Sequence, residues 1–298
     1  MSRRFSYFAI IVFTAASACL QAQAPQTFDS PEAAAKALID AAAQDDAARL
    51  ASLLGAEGKS ILTSGDPAQD KAERAEFARI ARSKYELQRD SMDSDRMILS
   101  IGSEDWPFPV PIVKMKGKWS FDASMGALVM SARTIGANEL DVIEACSAYV
   151  SAQQEYAQRT PAKGALPQYA RHIRSTSAAR PDGLYTDSEG QSLAPQDFAE
   201  AAVEGQNAAP PVPYHGYLFR VLTGQGPNAP EGQHSYLVKD SLAGGFGLVA
   251  WPAQYGVTGI HTFIVNQDGI VYQKDMGAQA SPTAIIRYDP DKSWKPVN

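Results

Sequence analysis

Cysteine is nearly missing from this chain: of 298 residues, only Cys19 and Cys146 are cysteines. Cys19 falls in a hydrophobic leader, so Cys146 stands alone in the remainder and no intramolecular disulfide can staple it. The four histidines, His172, His215, His234 and His261, form no HxH or HxxxH pair, which leaves no zinc-ligand spacing. Nucleophile motifs are absent: there is no GxSxG, no SxxK and no cysteine paired with a histidine. Gly224-Gln225-Gly226-Pro227 and Gly244-Gly245-Phe246-Gly247 match neither GxGxxG nor GxxxxGK[ST]. Their flanks read as strands, so no helix N-terminus is on hand to receive a phosphate. Blocks of Lys and Arg are missing too, and the formal net charge is −6, which argues against a nucleic-acid backbone or an anionic lipid surface as partner. These absences predict no cofactor, no metal and no nucleic acid, and they point away from an enzyme without excluding one.

The chain begins with an export signal. Arg3 and Arg4 form a positive n-region, Tyr7 to Ala18 an apolar h-region, and small residues follow to Ala24. The apolar stretch is short of the ~20 residues that span a bilayer, and no other segment approaches that length. Two cleavage readings stay open. Ala22-Gln23-Ala24 fits an A-x-A site but is followed by Pro25, whereas Ala16-Ser17-Ala18-Cys19 is like a lipobox and would make Cys19 a lipidation site. Residues 1–24 are therefore set aside from the fold. The remaining chain of about 275 residues is longer than most single cores use, which predicts two domains, 27–135 and 136–298.

In the first, Ser30-Pro31-Glu32 reads as a helix start, and a second short helix runs from Ala47 to Leu54, ending at Gly55. A third starts at Asp66-Pro67. Strands are expected over Arg96 to Ile101, Val110 to Met115 and Trp119 to Phe121, with Trp106-Pro107-Phe108-Pro109 as an edge or a crossing loop. A three-residue loop Lys116-Gly117-Lys118 would pair Met115 with Trp119 and Val113 with Phe121, placing all four apolar side chains on one face.

In the second, Asn138 is expected to cap a helix reaching about Arg159, with Pro161 and Gly164 as its stop. Ala170 to Ser175 reads as a helical segment, Arg180-Pro181-Asp182-Gly183 as a turn and 196–205 as a modest helix. Strands follow at Tyr217 to Leu222, His234 to Val238 and Phe246 to Trp251. Asp268-Gly269 then marks a hairpin between β-rich runs. A long helix laid on such an antiparallel meander is a two-layer arrangement, so the class is α+β, with helices packed on an antiparallel sheet in each domain.

Three segments carry a resemblance: PDGLYTDSEG at 181–190, PYHGYLFRVLTGQGPNAP at 213–230 and GLVAWPAQYGVTGIHTFIVNQDGIVYQKDMG at 247–277. On these, and on the order of its other elements, the chain is identified as a member of the bacterial secreted domain-of-unknown-function family 2950, over the whole exported part. That family implies no activity and no site residue. The second half distantly resembles the globular heads of type IV pilins, without their long hydrophobic N-terminal helix. The first half resembles the nuclear-transport-factor-2-like (cystatin-like) fold, in which a helix covers a cupped sheet.

The residues available for function are few. Tyr217, Arg220, Trp251, Tyr255 and His261 collect around the second sheet and would form an aromatic binding edge if they converge. Cys146 reads as a core residue of the long helix. The expected protein is an exported, periplasmic or outer-membrane-associated binding or assembly module. Its partner would be another envelope protein or a small ligand. The alternative is a hydrolytic or ligand-processing enzyme with a cavity in the first domain, recognisable by an acid beside a histidine.

Overall fold

The computed structural model describes residues 24–63, 66–159, 167–177, 182–188, 190–203 and 210–297. The expected leader with Cys19, the expected stop at Pro161 and Gly164, and Arg180-Pro181 of the expected turn lie outside these residues. Helices and antiparallel sheets are both present, as an α+β chain requires. The chain divides into two compact units, Met1–Val129 and Met130–Asn298.

The first unit opens with α1 (Pro31–Ala43), whose cap Ser30 accepts the N–H of Ala33 at 3.2 Å. Asp46 caps α2 (Ala47–Leu54) in the same way through Arg49, and Gly55 ends it. A 3₁₀ turn and α3 (Lys59–Leu62) lead to α4 (Pro67–Ser83), where Asp66 accepts the N–H of Ala68 at 2.8 Å. The strands are β1 (Tyr85–Arg89), β2 (Arg96–Ile101), β3 (Trp106–Pro107), β4 (Ile112–Met115) and β5 (Lys118–Phe121). They lie in the order β1-β2-β4-β5, with β3 also on β2, and all pairs are antiparallel. β1 was not expected, because Leu87 alone among its five residues is partly buried and the alternation is weak. Ala34, Ala35, Leu38 and Leu53 of the helices pack with Leu99, Ile101, Ile112 and Phe121 of the sheet to form the core.

The β4–β5 hairpin overturns the three-residue loop. Met115 pairs with Lys118, Lys114 with Trp119 and Ile112 with Phe121, leaving Lys116-Gly117 as a two-residue turn. Both turn residues have positive φ, +50° and +79°, the arrangement whose twist matches that of the flanking strands. Ile112 and Phe121 share the buried face, and Lys114 on that side lays its ammonium 5.8 Å from the Trp119 ring centroid. The amphipathic stem of lysine makes this register acceptable, since it lays apolar carbon beside the ring.

The helix expected at Asn138 begins fifteen residues earlier: α5 runs Ala123–Arg159 without a break. Asp122 accepts the N–H of Met125 at 2.9 Å and starts it. Gly126 and Gly136 lie inside it, since an interior glycine costs only about 1 kcal/mol and does not end a helix in the absence of proline.

In the second unit, Ala170 to Ser175 is not helical. β6 (His172–Arg174) pairs in parallel with β7 (Gly183–Tyr185), and Ile173 is buried between two half-exposed neighbours, a period of two. α6 covers Gln196–Glu200. The main sheet holds β8 (Tyr217–Leu222), β13 (Gly247–Pro252), β14 (His261–Asn266), β15 (Tyr272–Asp275) and β16 (Lys295–Pro296), in the order β16-β15-β14-β13-β8. Between β8 and β13 the chain leaves the sheet for two small ribbons: β9 (Gly224–Gln225) with β10 (His234–Ser235), and β11 (Leu237–Val238) with β12 (Ser241–Leu242). The single strand expected over His234 to Val238 is thus split at Tyr236, which is buried and donates its hydroxyl to Gln225 Oε1 at 2.9 Å. At the β14–β15 hairpin only Gly269 has positive φ; Asp268 instead receives an Asn266 Nδ2–H on its carboxylate.

This sheet is covered on both faces. Val142, Cys146 and Tyr149 of α5 meet Phe219, Leu248, Ala250 and Phe263 on one side. On the other, Tyr288 and Trp294 of the C-terminal segment pack on Leu222, Val249, Trp251 and Ile264. The two-layer expectation therefore lacked a layer. β13 is buried at every position, which is why GLVAWP reads as an unbroken apolar run.

Candidate functional site

The five residues expected to make an aromatic edge do not converge. Tyr217 is fully buried (0 % exposed) and Trp251 nearly so at 6 %. Tyr217 belongs to the α5 face of the sheet, whereas Trp251 belongs to the opposite one, where Arg220 lies 5.8 Å from its ring centroid. The Arg220 guanidinium donates to the Ile285 carbonyl at 2.5 Å, and burial lowers its pKa. Tyr255 is exposed in the β13–β14 loop and donates to Asp275 at 3.1 Å. No exposed aromatic cluster results, because strand alternation sends neighbouring aromatic side chains to opposite faces, and both faces are covered.

His261 is the centre of a different arrangement. Its Nδ1 lies 3.0 Å from Glu139 Oε2, and Glu139 Oε1 accepts the backbone N–H groups of Ile260 and His261, each at 2.9 Å. The Tyr217 hydroxyl donates to the His261 carbonyl at 3.0 Å. Asn138 donates to the Thr258 carbonyl at 2.8 Å, and Asp141 lies 2.8 Å from His215 Nδ1. Gly259 admits the Tyr217 ring; a Cβ there would stand 2.0 Å from the hydroxyl oxygen. Burial pushes the Glu139 carboxyl upward, but the two backbone N–H groups and the His261 ring outweigh it, and the net direction is down. The Tyr217 phenol moves up, through burial first and the neighbouring carboxylate second.

This is the acid beside a histidine that catalysis would call for, and its chemistry runs the other way. A carboxyl held ionised by two backbone N–H groups and a histidine ring is a poor general acid. Among the described residues no hydroxyl or thiol hydrogen-bonds the His261 or His215 ring, so neither pair has a nucleophile to activate. What the arrangement does is pin the 253–261 loop to the helix. Cys146 is equally inert: it is fully buried, and burial pushes its thiol up to about 12. No group of three or more His, Cys, Asp or Glu gathers at metal-binding range among the described residues.

A concavity with room for a ligand lies in the first unit. Phe77 and Ile80 of α4, Ile101 of β2 and Trp106 of β3 line an open groove of about 630 Å³, together with Arg79, Ser83, Ser103 and Glu104. Its volume falls within the range of small-molecule sites. Trp106 is 47 % exposed, and the Phe77 ring is backed by Phe108 at 5.2 Å between centroids. The β2–β3 turn at its rim is fixed by the Lys84–Asp105 ion pair at 2.6 Å. A second hollow of about 310 Å³, between Leu54, Glu57, Val113 and Ser124, lies in the same unit. In the second unit a chink of about 60 Å³ between Ala145, Ala148, Ala152 and Phe198 is too small for an organic ligand. The groove's sequence trace was Trp106-Pro107-Phe108-Pro109, a strand too short and proline-bound to bury its tryptophan.

Among the described residues, no helix is long and apolar enough to cross a membrane. No curated protein and no solved structure matches the chain. One family model does, over residues 25–297, and that is nearly the whole length. The chain therefore belongs to the family described as protein of unknown function (DUF2950).

Proposed function

We propose that this protein is exported to the bacterial envelope and acts there by binding, with the groove of the first unit as its ligand site. The observation that carries the reading is a half-exposed tryptophan beside the apolar side chains of Phe77, Ile80 and Ile101, with Arg79, Ser83, Ser103 and Glu104 lining the same groove. That is the composition of a recognition site, with an aromatic anchor and few orienting polar groups. The enzymatic alternative would place an acid–histidine pair in this cavity. Residues 24–129 contain neither histidine nor cysteine, and the acid–histidine pairs of the second unit serve as loop fasteners.

The test is native mass spectrometry of protein purified from its own host, compared with Trp106→Ala. A co-purifying small molecule or envelope protein should be retained by the wild type. Its affinity should fall about 30-fold in the variant, the effect of one aromatic anchor. Equal retention by both would remove the groove from consideration, and turnover of an ester or peptide substrate lost in Glu104→Gln would replace binding by catalysis. Export carries its own check. Metabolic labelling with a fatty-acid analogue marks the protein if Cys19 is lipidated, and Cys19→Ala abolishes the mark; an unlabelled wild type whose N-terminus lies beyond Leu20 was released by ordinary cleavage.

A further inference from the structure

β1 is an edge strand with an unused side. In its ladder with β2, Gly102 N–H donates to the Lys84 carbonyl and Asp90 N–H to the Arg96 carbonyl, at 2.9 and 3.0 Å. The register pairs Tyr85 with Ile101 and so on to Arg89 with Met97, so positions 84, 86, 88 and 90 face β2 with their backbone groups. The N–H and C=O of Tyr85, Leu87 and Arg89 point outward, and among the described residues no backbone hydrogen bond reaches them from that side. The strand carries no proline or bulge, and four of its five residues are exposed. Such an edge is a template for another strand.

We propose that the strand it takes is its own copy, antiparallel about a two-fold axis at Leu87. An outward-facing residue must meet another outward-facing residue, which limits the registers near the strand centre to three. Centred on Leu87, Lys84 meets Asp90 of the second copy, Tyr85 meets Arg89, Glu86 meets Gln88 and Leu87 meets itself. Every direct pair is complementary: a cation with an acid, a cation with an aromatic ring, an acid with an amide, and an aliphatic pair. Shifted one way, Glu86 faces Glu86; shifted the other, Glu86 faces Asp90 twice. Direct cross-strand partners, at about 5 Å, outweigh the diagonal ones at 7–8 Å, so charge selects the Leu87 register and refuses the other two. Lys84, Arg89 and Asp90 already bond within their own copy, to Asp105, the Ser94 carbonyl and Arg96, which holds these side chains in place at the edge. A ladder of this length is small beside the 1,200–2,000 Å² of standard interfaces, so the association is weak and concentration-dependent.

Gln88 gives the test, since it is exposed and its substitution leaves the core alone. Sedimentation velocity of the purified full-length protein over a concentration series at low salt should show a monomer–dimer equilibrium. Gln88→Lys, facing Glu86 twice per dimer, should tighten it by about 2- to 30-fold, and Gln88→Glu should weaken it by a similar factor. The opposite order of effects would place Gln88 against Lys84, and weakening by both substitutions would place it against itself. Either result overturns the register, and a wild type that stays monomeric, or a dimer indifferent to both changes, overturns the interface.

Discussion

The two five-stranded sheets of this protein spend their aromatic residues differently. The sheet of the second unit is sealed: α5 covers one face, the C-terminal segment the other, and Phe219, Phe246 and Phe263 are wholly or almost wholly buried. The sheet of the first unit rests on an alanine-rich helix layer. It leaves Trp106 and Tyr85 about half exposed, at 47 % and 44 %, and keeps an open edge along β1. The difference teaches where to look for function. A tryptophan in the second sheet holds the fold together, whereas a tryptophan in the first can hold something else. Counting aromatic residues along the chain favours the second sheet; only their exposure reverses the choice.

The contrast can be broken most decisively at Trp251. If that face is core, Trp251→Ala should cost about 3–5 kcal/mol in chemical denaturation. A cost below about 1 kcal/mol would mean that the C-terminal cover is loose and that the second sheet offers a surface after all.

Glu139 is the next test. Glu139→Ala strips the acceptor from two backbone N–H groups and from His261, with an expected loss of about 1–3 kcal/mol. The sign with pH follows from the lowered carboxyl. Its contribution is complete above the unfolded value, about 4.3, and is lost as pH falls through the lower folded value. Denaturation midpoints of wild type and Glu139→Gln should therefore converge in acid below that point. Curves that stay parallel down to the acid limit would assign the stability to packing instead.

The smallest effect sharpens the comparison from the other side. Trp106→Ala should change stability by about 0.5 kcal/mol or less, as a surface substitution does, while it weakens ligand retention. A large loss of stability would make Trp106 part of the core and remove the distinction between the two sheets.

Much of the local structure was legible. Ser30 and Asp66 announce helix starts because capping acts across two or three residues, and the strands Arg96–Ile101 and Tyr217–Leu222 were found at their observed ends. The site was hardly legible. His261 was singled out, but its partner Glu139 is 122 residues away, and the groove joins α4 to a two-residue strand.

By itself, then, the sequence determined the α+β class, the family, and the elements whose signals lie within a few residues. The tertiary structure alone decided which face each strand turns to a neighbour, that Trp251 is core and Trp106 is not, and that α5 runs unbroken from Ala123. The physical reason is range. Caps, turns and propensities are set by atoms a few bonds apart, whereas burial is set by segments distant along the chain, here the 285–294 cover over Trp251, and no local pattern encodes their arrival.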